Sequence, residues 1–242
     1  MTWSMIFEHL YIVLAACILS VLIGVPLGLL AYLYPKARAV ILRVVDLLQT
    51  IPSLALLGII MVFLGAGKPT VILGITLYSL LPIVRNTSLG LSQVPAYLKE
   101  AGDGMGMTRA YRLRHVEMPL ALPMLFTGVR IAAVNAIGTA VFAAFVGGGG
   151  LGGVFYTAIR QKDLPLMLKG TAVLMVMALI LDLALSAAER RLNDRRWRKP
   201  APSWLRWTGG VACAALCAGL LLFPLLPQST AGTLVLYDGD YT

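Results

Sequence analysis

The chain of 242 residues is 59% hydrophobic and 13% charged, with a mean hydropathy of +0.84 and a formal charge of +9. An average soluble domain is about 25% charged, so a solvent-facing globular enzyme, a disordered chain and a small disulfide scaffold are excluded. The apolar residues fall instead in runs long enough to cross a hydrocarbon core of about 30 Å as helices. The pattern predicts an all-α polytopic membrane bundle of about six transmembrane helices.

The first apolar run, 10–34, carries no charge, and its flank 1–9 lacks the Lys and Arg of a signal peptide. The second, 40–64, opens with Arg43 and Asp46, whose spacing predicts a local ion pair. Pro52 inside it predicts a break or kink. The third, 69–93, contains Pro82 and Arg85, and Arg85 is expected towards the cytoplasmic end, where it can snorkel, with a gate role as the lesser alternative. The excursion 94–119 is polar. Pro95 suits a helix start, Ala96–Ala101 are good helix formers, and Gly102, Gly104 and Gly106 follow at alternate positions. Each glycine costs a helix about 1 kcal/mol relative to alanine, so close approach of another surface is the expected reason for them. A second short helical stretch, 109–115, ends at Met118-Pro119. The fourth run, 120–146, carries Arg130; the fifth is 164–188; the sixth is 207–226.

Lys and Arg are distributed unevenly. Stretches 35–43, 94–115 and 189–206 hold 14 of them, and the alternate loops and flanks hold three. Cytoplasmic loops carry the basic excess, which places both termini outside and 94–115 in the cytoplasm. Nucleic acid is not an expected partner, because no basic soluble face with interleaved aromatics exists. Cys17, Cys213 and Cys217 all lie in apolar runs and form no CxxC, so no metal or redox site is expected.

Glu100-Ala101-Gly102, three residues, Gly106, nine residues, then Val116-x-Met118-Pro119 resembles the EAA loop of ABC importer permeases, E-A-A-x3-G-x9-I-x-L-P. Three positions depart conservatively: Gly102 for Ala, Val116 for Ile and Met118 for Leu. The resemblance implies a type I importer permease fold, in which Glu100, Ala101, Gly102, Gly106, Val116, Met118 and Pro119 belong to a coupling segment that docks on a separate ATPase subunit. Further stretches, Gln49–Leu56, Leu77–Thr87, Gly104–Thr108, Asn135–Ala140 and Gly148–Gly152, resemble the permeases for glycine betaine, carnitine, choline and proline. The resemblance spans about residues 10–190. It implies the membrane subunit of an ATP-driven importer of small quaternary amines or compatible solutes in a bacterial inner membrane. Two ATPase subunits, a second permease copy or homologue and an external solute-binding protein or fused domain are the implied partners. The alternative is another small amine or amino-acid-like solute on the same fold; a membrane receptor or scaffold without transport is a more distant one.

No enzyme site is expected. Gly65-Ala66-Gly67-Lys68-Pro69-Thr70 lacks the P-loop spacing, so ATP and any other cofactor are expected to be absent from this chain and ATP to be bound by the partner. Polar residues inside apolar runs are the pathway candidates, because they tend to face a bundle interior or cavity: Gln49, Thr50 and Pro52 at the break, Tyr78, Asn86, and Asn135 with Thr139. Helix–helix hydrogen bonding is an equally open reading for Asn135 and Thr139. Aromatic cages suit quaternary ammonium groups, yet Tyr78 and Phe142 are isolated in sequence, so selection is expected in an external binding domain. The expected division is a permease domain over 1–199, an extra helix within 200–228, and an external tail over 229–242. In that tail Thr233–Tyr237 reads as the first strand of a fused solute-binding domain, with a loose tail as the alternative.

Overall fold

The computed structural model describes residues 2–197, all built around helices and turns. The sixth segment and the tail, 200–242, lie outside the described residues. In chain order the helices are α1 (Trp3–Leu33), α2 (Pro35–Thr50), α3 (Ser53–Leu64), α4 (Lys68–Ser92), α5 (Ala96–Gly104), α6 (Arg109–Arg112), α7 (Met118–Thr139), α8 (Gly152–Gln161) and α9 (Leu164–Trp197). A π-helical turn, Leu113–Glu117, joins α6 to α7, and a 3-10 turn, Ala140–Val146, extends α7.

Among the described residues four stretches are long and apolar enough to cross a membrane, Trp3–Leu33, Lys68–Ser92, Arg109–Val146 and Leu164–Leu192, and the bent pair α2–α3 makes a fifth if taken as one span. Pro52 breaks that pair by 98°. Ile51, ahead of the proline, is forced out of the helical region to φ −72°, ψ 126°. The freed carbonyl of Gln49 accepts from Tyr78 Oη at 3.3 Å, and Gln49 Nε2 donates to Tyr78 O at 2.7 Å. A helix end inside a bundle needs such partners for its orphan carbonyls.

The segment 109–146 is continuous. The expected stop at Met118-Pro119 is not one: Met118 N–H donates to Leu113 O, a π-type step, and the helix runs on. The ring of Pro119 would clash with the carbonyl four residues back, and widening the preceding turn relieves it. The loop 147–163 likewise contains an unexpected helix, α8.

Small residues let these helices approach closely. Gly24 and Gly28 of α1 lie against Ile83 and Thr87 of α4; Gly128 of α7 lies against Pro82 O and Asn86 of α4. The main core gathers Ile12, Val13 and Ala16 of α1, Val71 and Ile75 of α4, and Ala136, Ala140 and Ala143 around the end of α7.

Arg109 Nη2 donates to Leu33 O at 3.4 Å, so the α1–α2 reversal and the α5–α6 loop share one end of the bundle. At the other end Glu8 accepts from Gly150 N–H at 2.8 Å and pairs with Lys68 at 2.8 Å.

Two expected contacts are replaced. Asp46 does not pair with Arg43, nor does Arg85 snorkel freely: Arg85 Nη2 meets Asp46 Oδ1 at 2.7 Å, because α4 packs beside α2 and presents its guanidinium there. The side chains are 55% and 43% exposed, so Asp46→Asn should lower stability by less than about 1 kcal/mol. Thermal unfolding in detergent measures this, and a loss several times larger would show that the pair is more than a surface contact. Phe142 is also not isolated: it lies 6.3 Å from Phe145, which meets Tyr156 edge-on at 5.8 Å.

Candidate functional site

The stretch 94–119 folds as a compact knob on one end of the bundle. Pro95 caps α5. The chain turns at Gly106, whose φ of +75° is the left-handed conformation that glycine alone adopts freely. Gly106 N–H donates to Asp103 O and Met107 N–H to Gly102 O, each at 3.0 Å, which closes the end of α5. Thr108 then caps α6 by accepting from Tyr111 N–H at 3.3 Å.

Arg112 holds the knob together. Its Nε donates to Glu117 Oε1 at 2.8 Å, and its Nη1 reaches Asp103 Oδ1 and, at 3.4 Å, Lys99 O. Glu117 is 1% exposed, and its second oxygen accepts from Tyr32 Oη of α1 at 2.6 Å. Lys99 Nζ sits 5.2 Å from the centre of the Tyr32 ring. A buried carboxylate is tolerated only when paired and hydrogen-bonded, and here both oxygens are satisfied. The result ties α5, α6 and the start of α7 to the end of α1 through one side chain.

The seven residues of the EAA-like signature divide between inside and outside. Glu100 and Ala101 are exposed on α5. Gly102 is buried, and a Cβ there would meet Arg112 Cδ at 3.0 Å, so this glycine makes room for Arg112 within the knob. Gly106 has open space around it and serves the turn. Val116, Met118 and Pro119 are half-buried at the root of α7. Around Glu100 and Ala101 the outer surface is apolar: Tyr97 is 67% and Met105 69% exposed, and Tyr111 is stacked on His115 at 4.0 Å.

The other seven candidates do not converge. Gln49 and Tyr78 bind each other, Pro52 makes the bend, and exposed Thr50 donates to Leu47 O at 2.7 Å. Asn86 Nδ2 donates to Pro82 O at 2.7 Å and rests against Gly128. Thr139 donates to Asn135 O at 2.9 Å within its own helix. The side chain of Asn135 is exposed and lines a cavity of about 430 Å³ with Thr127, Arg130, Ile131, Val134 and Asp182.

Three groups of functional interest escaped the sequence reading. Glu117 and Tyr32 are adjacent only in the fold. Arg130 and Asp182 form a bidentate pair at 2.7 and 2.8 Å between α7 and α9; a charge inside each of two apolar runs was the available signal. His9, fully buried near the start of α1, is hydrogen-bonded to Ile137 O at 3.1 Å and accepts from Leu151 N–H at 3.3 Å. These partners fit the neutral ring protonated on Nε2.

Residues 5–199 match the family described as binding-protein-dependent transport system inner membrane component. The chain belongs to that family. It is 40% identical over 187 residues to the choline transport system permease protein OpuBB of Bacillus subtilis, covering 77% of this chain and 86% of that one. It is 41% identical over 184 residues to the osmoprotectant import permease protein OsmW of Salmonella typhimurium, covering 74% and 86%. The fold resembles a solved chain of the inward-facing MetNI methionine ABC transporter, with a TM-score of 0.70 and 24% identity over 79% of this chain and 99% of that one. The protein is therefore a multi-pass membrane permease of an ABC importer, and the knob and the α7–α9 cavity are features of a transport subunit.

Proposed function

We propose that this permease carries small quaternary amines or related compatible solutes into the cell, driven by ATP hydrolysis in separate subunits that dock on the 94–119 knob. The observation that carries the substrate class is the identity of about two residues in five to permeases named for choline and for osmoprotectants. The docking role rests on the apolar exposed surface of Tyr97, Ala101 and Met105 beside Glu100, all on a knob braced from within by Arg112. An exposed apolar patch rimmed by charge is the usual mark of a protein contact.

In this reading the knob faces the cytoplasm, since it carries the basic stretch 94–115 and shares its end with the basic stretch 35–43. The N-terminus faces outside in an inner membrane, and so does the C-terminus if the segment 207–226 crosses. Two ATPase subunits, a second permease copy or homologue, and an external or fused solute-binding domain complete the transporter. Nucleotide is bound by the ATPase subunits.

The test is uptake of labelled glycine betaine and choline into vesicles holding the assembled transporter, with and without ATP. Ala101→Trp probes the docking surface without touching the interior of the knob. It should leave membrane insertion and thermal stability unchanged while reducing ATPase co-purification and uptake at least about tenfold, since a misfit in a packed contact costs about 1–3 kcal/mol or more. Normal co-purification would remove this face of α5 from the docking surface. Gly106→Trp is a poorer probe, because any side chain at φ +75° strains the turn itself.

A further inference from the structure

The cavity between α7 and α9 is charged, and the coupling knob does not use it. Arg130 stands near the middle of α7 and Asp182 near the middle of the apolar stretch Leu164–Leu192. Arg130 Nε and Nη2 donate to the two oxygens of Asp182, and Nη1 lies 3.9 Å from Glu189 Oε2. Charges at this depth are costly in lipid and face cavities or partners. These two open on a shallow, open-sided cavity of about 430 Å³. Their side chains remain 35% and 30% exposed.

A purely structural brace is complete with one carboxylate per guanidinium. Arg130 has two within 4 Å, so the trio carries one excess negative charge. Asn135 supplies an amide on the same cavity wall, where the Thr127 hydroxyl donates to Pro123 O at 3.0 Å, and among the described residues none of the lining side chains is aromatic. The surroundings thus offer a cation for a carboxylate, acidic groups for an ammonium, and a neutral donor beside them.

We propose that the Arg130–Asp182 pair is where the permease recognises a zwitterionic solute within the membrane. The solute carboxylate takes the place of Asp182 on Arg130, with Asn135 donating to it, and the quaternary ammonium turns to Asp182 and Glu189. The inference rests on the quaternary-amine reading above and narrows it to betaines, which carry both charges, over choline, which has no carboxylate. The exchange leaves no bare charge at low dielectric, where an unpaired ion is most costly. When the solute leaves, the pair closes on itself. Holding the ammonium by charge alone, without an aromatic cage, keeps binding weak enough for release.

The test is the ratio of glycine betaine to choline uptake, measured with the complete transporter in vesicles. A ratio cancels differences in protein amount. The double variant R130Q/D182N removes both charges without stranding either, and R130D/D182R keeps a pair but reverses it. Each should lower the ratio at least about tenfold, because a site built on polar contacts discriminates strongly against a solute that lacks them. The exposed residue tests the cavity independently of packing: Asn135→Leu should lower the ratio about threefold, a modest loss for one hydrogen bond. A wild-type ratio in Asn135→Leu and in whichever charge variant assembles overturns the proposal and leaves a brace. Uptake of choline but not glycine betaine by the wild-type transporter overturns it while keeping the quaternary-amine reading. Uptake of neither overturns both.

Discussion

Glu117→Leu should abolish ATP-driven uptake and lower the stability of the knob by about 3–5 kcal/mol, the cost of breaking a buried ion pair from one side. The leucine takes the buried carboxylate from Arg112, whose side chain is 13% exposed and keeps only its contacts to α5, and leaves Tyr32 Oη without its acceptor. Arg112 also contacts Asp103 and Lys99, so α5 loses its attachment to the root of α7. Glu117→Gln keeps one acceptor oxygen for Arg112 and puts an NH2 against Tyr32 Oη, which must then accept, so it should fall between wild type and Glu117→Leu. Hydrogen exchange over 96–112 and thermal unfolding in detergent read the knob directly. Slow exchange and a normal transition in Glu117→Leu would mean that something other than this carboxylate braces the loop.

Gly128→Ala should remove most of the folded permease, whereas Gly138→Ala on the same helix should not. A Cβ on Gly128 would lie 2.6 Å from Pro82 O and 2.8 Å from Asn86 Cβ, both on α4. The carbonyl belongs to helix backbone and cannot swing aside, so α7 must move off α4. Overpacking of this kind costs about 1–3 kcal/mol or more, a large part of a total stability of about 5–15 kcal/mol. Gly138 has open space around it, and alanine there should stabilise the helix by about 0.5–1 kcal/mol. Detergent-extractable, monodisperse protein is the measurement. Equal yields of the two variants would show that α4 and α7 do not depend on this close approach.

The alternating placement of basic stretches predicted which loops share an end, and Arg109 meeting Leu33 O joins two of them in the fold. Pro52 announced the α2–α3 break, since a residue without an N–H acts on its own neighbours whatever surrounds it. The glycines of the knob stand out in the sequence as an anomaly. Two of the three serve the knob itself: Gly102 yields space to Arg112 and Gly106 turns the chain. Steric need at a glycine looks the same in sequence whether the neighbour is another subunit or the same loop.

What the sequence by itself determined are properties local to one segment: apolar runs of spanning length, the helix break at Pro52, the polar excursion 94–119 with its signature, and the end of the bundle to which charge belongs. The tertiary structure alone decided the pairings. Asp46 finds Arg85 rather than Arg43, Glu117 finds Tyr32, and Arg130 finds Asp182 across 52 positions. The reason is physical. Helix formation and membrane partitioning depend on each segment's own composition, while a side chain's partner depends on the rotation and axial register of two helices. That register is set by small residues such as Gly28, Gly128 and Ala136, whose fit against a neighbour no single segment records.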